Sequence, residues 1–218
     1  MLSKRYTLVY VALMTLVVVA SNFLVQFPVQ ATLGAINLAD LLTWGAFTYP
    51  FAFLVNEIVN RFEGSAAARK VVLAGFLTGI ACSFIGTQIQ GEFGPLVTFR
   101  IALGSGTAFL AAQLLDITIF NRFRRGLWWK APLISPVISS TLDTAIFFTI
   151  AFSAAFTFLE PGVDVSWATQ PAPLLGIGPE APFWVSLAVG DWLVKLLLAG
   201  VALLPFRLAL AKLATRVA

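Results

Sequence analysis

Six stretches of the chain read as near-continuous apolar runs, each bounded by charged or Pro/Gly-rich segments. They cover roughly Thr7–Phe27, Leu41–Val59, Val71–Gln88, Pro95–Phe120, Pro132–Phe158 and Pro182–Pro205. A run of about 20 apolar residues spans a hydrocarbon core of about 30 Å. Only a helix or a closed barrel satisfies its backbone polar groups there, and runs of this length specify helices. The pattern therefore predicts an all-α polytopic membrane protein of six transmembrane helices, forming a single domain over residues 1–218. The longest connection, from about Leu159 to Ala181, holds Pro161, Pro171, Pro173, Pro179, Gly176 and Gly178 and predicts an irregular external loop.

Polar positions inside the runs carry the functional information. Asp116, Asp143, Asp191 and Lys195 all fall deep within apolar stretches. A charge at membrane depth costs several kcal/mol, so it faces a bundle interior or a solvated cavity and marks a substrate or ion pathway. In the fourth run, Phe109, Gln113, Asp116 and Phe120 recur on one helical face. That stripe suits a flat, hydrogen-bonding ring ligand or an interhelical clamp. Asp143 lies close to the middle of the fifth run, where it needs a cation, a proton or a donor-rich ligand. Asp191 and Lys195 are spaced i, i+4, which permits an intrahelical pair. Lys195 could equally pair with Asp143 and exchange partners on ligand binding. Asn22 and Gln26 sit one turn apart in the first run, and Trp44 and Phe47 near the start of the second. Glu57, Arg61 and Arg69 could form a charge cluster that is structural or gating. Arg100 could face an outer carboxylate such as Asp40, or snorkel to water.

Composition agrees with this class. The chain of 218 residues is 59% apolar and 11% charged, whereas soluble domains are roughly a quarter charged. The net charge of +4 does not describe a nucleic-acid surface, because the basic residues occupy alternate loops. Lys4, Arg5, Arg61, Arg69, Lys70, Arg122, Arg124, Arg125, Lys130, Arg207, Lys212 and Arg216 fall on one side. Asp40, Glu92, Glu160, Asp164 and Glu180 fall on the other. The positive-inside rule then places both termini in the cytoplasm. The N-terminal segment has the basic start, apolar stretch and small residues of a cleaved leader. Asn22 and Gln26 within the same run favour a retained span. One cysteine, Cys82, excludes a disulfide framework, and the absence of histidine excludes His-based metal sites and Ser-His-Asp triads. No metal or cofactor is expected. Gly75 and Gly79 form a GxxxG, and Gly104-Ser105-Gly106 opens a small-residue face; both predict close helix packing. Without a GxxxxGK[ST] sequence, Gly104-Ser105-Gly106 does not read as a phosphate loop.

Several segments together resemble a known family. They are Ser21-Asn22-Phe23-Leu24-Val25-Gln26, Thr43-Trp44-Gly45-Ala46-Phe47, Tyr49-Pro50-Phe51, and Gly64 with Ala68-Arg69. Arg100-Ile101-Ala102, Gln113-Leu114-Leu115-Asp116, Phe120-Asn121-Arg122 and Trp128-Trp129 continue the match. Leu142-Asp143-Thr144 with Phe147-Phe148, and Asp191 with Lys195, complete it. The ordered set is similar to the bacterial queuosine precursor transporters of the vitamin uptake transporter family. Glu57 departs from the pattern, which has Asp there, and Ser140 stands where an amide-like residue would precede Asp143. The resemblance implies uptake across the inner membrane of a 7-deazaguanine base, such as 7-cyano-7-deazaguanine, for salvage into tRNA queuosine. It implies no enzymatic activity. Asn22, Gln26, Trp44, Phe47, Gln113, Asp116, Asp143, Asp191 and Lys195 are the expected substrate-binding residues. A vitamin-binding membrane subunit energised by a separate ATPase is the alternative. The expected partners are the small ring substrate and the lipid bilayer, with no nucleic acid. A homo-oligomer and an energy-coupling partner stay open.

Overall fold

The computed structural model describes residues 4–91 and 94–217, so Glu92, counted above on the acidic side, lies outside the described residues. Placement of the Lys4, Arg5, Lys212 and Arg216 side chains is likewise outside the description. The chain forms α1 (Lys4–Leu24), α2 (Trp44–Thr48), α3 (Phe51–Phe62), α4 (Ser65–Gln88), α5 (Phe99–Phe123), α6 (Lys130–Phe152), α7 (Ser166–Thr169) and α8 (Phe183–Val217). Five of these, α1, α4, α5, α6 and α8, are long and apolar enough to cross a membrane. Their outward faces carry Leu8, Leu16, Phe84, Leu197 and Leu204, all more than half exposed, as lipid-facing residues would be.

The second apolar run departs from the single helix expected over 41–59. It becomes the pair α2 and α3, broken at Tyr49-Pro50. Proline has no N–H to donate and its ring crowds the preceding turn. Both residues keep right-handed helical backbone angles, φ −56° and ψ −40° at Tyr49 and φ −59° and ψ −20° at Pro50. The chain is therefore kinked rather than unwound. Gly45 lets α2 press against the segment after α1, since a Cβ there would lie 3.0 Å from the Val25 backbone.

The main apolar core joins α1, α3, α4 and α5 through Met14, Val18, Val55, Val59, Val72, Phe109 and Ile117. Gly75 is the contact that sets its spacing. A Cβ at Gly75 would stand 2.7 Å from Met14 Cγ and 3.0 Å from the Phe109 ring. The GxxxG thus acts as a packing device, as its sequence predicts. Overpacking such a site costs about 1–3 kcal/mol or more. Gly75→Leu is expected to lower the melting temperature of the purified protein and its amount in the membrane, whereas Gly79→Ala should be tolerated. Gly104 meets Phe147 and Ile150 of α6, and Gly106 meets Phe76 and Ile80 of α4, which accounts for the small-residue face of α5.

Short hairpins cap the loops. β1 (Thr32–Leu33) pairs with β2 (Ile36–Asn37), β3 (Gln90–Gly91) with β4 (Gly94–Pro95), and β5 (Pro171–Pro173) with β6 (Glu180–Pro182), all antiparallel. The long loop is more ordered than its Pro/Gly content suggests. A 3₁₀ turn over Ala154–Leu159, then α7, precede the β5–β6 hairpin. Trp167 of α7 rests on Phe152 and Phe183, with ring centroids 5.6 and 6.3 Å apart, and ties the loop to α6 and α8. Asp164 accepts the Ser166 backbone N–H at 2.8 Å at the start of α7, which holds its carboxyl below the usual aspartate value.

Arg100 is completely buried in the first turn of α5. Its Nε donates to Ile150 O at 3.0 Å and its Nη2 to Ser153 O at 2.7 Å. These carbonyls lie at the C-terminal end of α6, where a cation is favoured, and Ser153 O also accepts the Phe156 N–H at 3.2 Å. Glu160 accepts the Arg100 backbone N–H at 3.0 Å. The structure therefore spends the buried guanidinium on a helix end rather than on Asp40 or solvent, and the outer carboxylate that stands beside Arg100 is Glu160. Each hydrogen bond from a charged group contributes about 1.5–3 kcal/mol. Arg100→Met is expected to lower thermal stability strongly, as read by a detergent melt, because two charged hydrogen bonds at the end of α6 are lost.

Candidate functional site

A single lysine organises the polar interior. Lys195 of α8 is 5% exposed. Its Nζ lies 2.7 Å from Asp143 Oδ2 of α6 and 2.5 Å from Asp191 Oδ2 one turn back in α8. It also donates to Thr144 Oγ1 at 3.1 Å, and that hydroxyl donates to Asp191 Oδ2 at 3.0 Å. The second oxygen of Asp143 accepts the Tyr49 hydroxyl at 2.9 Å. The Tyr49 ring lies 5.2 Å from the Lys195 ammonium, within cation–π range. The sequence offered Asp143 and Asp191 as alternative partners of Lys195; the structure gives it both at once. One cation against two carboxylates leaves the cluster one negative charge in excess.

The kink at Tyr49-Pro50 is what brings Tyr49 to this cluster, across 94 residues of sequence from Asp143. Tyr49 and Thr144 complete the site and were not among the expected site residues. Their signal was present: Tyr49 precedes a mid-run proline, and Thr144 adjoins Asp143.

The cluster forms one wall of a cavity of about 440 Å³. The cavity is lined by the C-terminal end of α1, the first turns of α5 and α8, and the Asp40–Thr43 segment, so it occupies the half of the bundle nearer the acidic loops. Asn22 and Gln26 line it with Asp143, Asp191 and Lys195. Its aromatic walls are Tyr49, Phe147, Phe148 and Phe152. The volume falls in the range of about 300–1,000 Å³ typical of small-molecule sites, which are mostly apolar with a few placed polar groups. Ser83 and Ser105 add hydroxyls to the lining.

Other expected residues stand elsewhere. Trp44 is 49% exposed and stacks at a tilt on Phe47, with centroids 5.8 Å apart. Phe47 packs onto the small apolar cluster of Val29, Leu42, Ala46 and Val194. Neither lines the cavity. Their phase on α2 turns Gly45, Ala46 and Tyr49 toward it instead. Gln113 and Asp116 are fully buried further along α5, beyond the cavity-lining Ile101, Ser105 and Ala108, against α3. Asn56 donates through Nδ2 to Gln113 O and to Asp116 Oδ2, each at 3.1 Å. The Phe109–Phe120 stripe is thus a buried face, as its spacing requires, but it meets helices rather than the cavity.

Glu57 and Arg61 do not pair. Glu57 is 1% exposed and accepts from Ser135 Oγ of α6 at 2.9 Å. Arg61 donates to Arg124 O at 2.7 Å, and Arg124 returns a bond to Arg61 O at 3.3 Å. The two guanidiniums cap helix ends at the basic side of the bundle. Arg69 is exposed. Among the described residues, the ion pairs are those of Lys195, and no group of three or more metal-ligating side chains occurs.

A kinked helical bundle with a partly aromatic cavity and a buried Asp–Lys–Asp cluster is that of a multi-pass membrane protein. The chain belongs to the vitamin uptake transporter family: the model described as "Putative vitamin uptake transporter" matches residues 43–210. It is 33% identical over 202 residues to the "Queuosine precursor transporter" of Escherichia coli (strain K12), covering 87% of this chain and 79% of that one. It is 32% identical over 183 residues to the "Probable queuosine precursor transporter" of Haemophilus influenzae, covering 76% of this chain and 77% of that one. A third relative, the "Probable queuosine precursor transporter" of Bacillus subtilis (strain 168), is 28% identical over 191 residues, covering 78% of this chain and 72% of that one. No solved structure matches the chain significantly.

Proposed function

We propose that this protein imports a queuosine precursor, a 7-deazaguanine base such as 7-cyano-7-deazaguanine, across the bacterial inner membrane. The observation that carries the reading is the cavity where two carboxylates, Asp143 and Asp191, stand beside aromatic walls. The guanine-type edge of such a base presents a ring N–H and an exocyclic amine to one carboxylate, which only accepts. The excess negative charge of the cluster suits that donor edge. Phe147, Phe148 and Phe152 offer faces on which the ring plane can stack. Asn22 and Gln26 supply amides for the ring carbonyl. The relatives' names support the same class of substrate.

In this reading the chain crosses the membrane six times with both termini cytoplasmic. The α2–α3 pair supplies the sixth crossing. From Trp44 to Phe62, at about 1.5 Å per residue, it reaches about 28 Å, close to the hydrocarbon thickness. The cavity then faces the outer leaflet, and Lys195 with its two carboxylates forms its floor.

Proteoliposomes holding this protein alone test the reading. Labelled 7-cyano-7-deazaguanine is expected to exchange into vesicles preloaded with the unlabelled base. Uptake only when an ATPase module is supplied would favour the vitamin-binding subunit instead. Exchange of unrelated bases at equal rate would remove the substrate assignment.

A further inference from the structure

A second polar cluster lies beyond the cavity floor, toward the basic end of the bundle. Glu57 of α3 and Asp116 of α5 are 1% and 0% exposed, and Asp116 is the charged group that bears on Glu57. No cation pairs with either among the described residues. The charged groups on the surrounding elements are otherwise engaged. Arg61 turns to Arg124 O, Arg69 is exposed, and Lys195 is held by Asp143 and Asp191. Two adjacent anions cannot be kept in a dry interior without a counter-charge.

The hydrogen bonding around the pair points the same way. Asn56, fully buried, aims its Nδ2 at Asp116 Oδ2 and leaves its Oδ1 without a donor. Asp116 Oδ1, Gln113 Oε1 and Asn60 Oδ1 also lack donors, against two unpaired donors on α5 and α6, Gln113 Nε2 and the Ser139 hydroxyl. The cluster is short of hydrogens. Protonating one carboxyl both cancels a charge and turns an acceptor into a donor.

A small cavity of about 10 Å³, the least that admits one water, is lined by Glu57, Ser140 and Lys195 among others. It reaches Glu57 of the pair and shares Lys195 with the lining of the large cavity.

We propose that Glu57 and Asp116 share one exchangeable proton and form the proton-coupling site of the transporter, linked to the substrate cavity through the single-water gap beside Lys195. The proton enters from the outer side by way of the large cavity, rests on the carboxylate pair, and leaves to the cytoplasm. Nothing is oxidised or reduced, and one proton moves with one neutral substrate. The coupling rests on the transport reading above, but the proton site does not.

Two measurements test it separately. Infrared difference spectra of the purified protein at neutral pH need no substrate. A protonated-carboxyl band is expected in the wild type and is lost from Glu57→Gln/Asp116→Asn. The same spectrum in both proteins would overturn the proton site. In proteoliposomes, an inward pH gradient of one unit should drive about tenfold accumulation of labelled 7-cyano-7-deazaguanine at one proton per molecule. Glu57→Gln should keep exchange and lose accumulation. Wild-type exchange that ignores the pH gradient, or accumulation driven by a sodium gradient, would overturn the coupling. No exchange by the wild type would instead count against the transport reading, and the infrared result would still decide the proton site.

Discussion

Asp143→Asn is expected to abolish uptake while leaving the protein inserted in the membrane. Asp143 accepts from both Tyr49 and Lys195 and also lines the cavity. The amide keeps the size of the side chain but removes the charge and places a donor where two donors already point. A hydrogen bond to a charged group contributes about 1.5–3 kcal/mol, so losing the Lys195 bond and a ligand bond together costs on the order of a hundredfold or more in binding. Transport of the labelled base by cells expressing the variant, with its membrane level checked by immunoblot, reads the effect. Ordinary uptake at ordinary levels would remove Asp143 from the site.

Lys195→Met is expected to damage stability as well as transport. Removing the ammonium leaves Asp143 and Asp191 facing each other in a buried wall. Breaking a buried ion pair by deleting one partner costs about 3–5 kcal/mol, because the remaining charge is uncompensated. The melting temperature in detergent should fall clearly. Adding Asp143→Asn to Lys195→Met should restore much of that loss, since one carboxylate is then gone, but should not restore uptake. A single Lys195→Met variant as stable as the wild type would contradict the role of Lys195 as the bridge between the two aspartates.

The helices were legible because lipid imposes a strong rule: apolar runs of sufficient length must fold on themselves. Asp143, Asp191 and Lys195 were legible for the complementary reason, that charges at membrane depth need partners. The kink at Pro50 was visible as a residue type but not as a geometry, because the surrounding apolar run reads through it. What it does, turning Tyr49 onto Asp143, depends on packing between segments far apart in sequence. Trp44 and Phe47 look like stacking residues by composition, yet a short helix has a phase that sequence alone does not set, and the cavity takes its aromatics from Tyr49 and from α6. The face of α5 bearing Gln113 and Asp116 was correctly periodic. Periodicity identifies a buried face without saying whether a ligand or a helix covers it, and here α3 does. Glu57 follows the same logic: its i, i+4 relation to Arg61 suggested a pair, but Ser135 and burial draw it inward.

The most direct measurement of the central claim is queuosine in tRNA from bacteria lacking both their own precursor synthesis and their own transporter, grown with nanomolar 7-cyano-7-deazaguanine. Queuosine is expected only in cells carrying this protein, and to disappear with Asp143→Asn. No queuosine with the wild-type protein shown to be in the membrane would contradict import of the precursor.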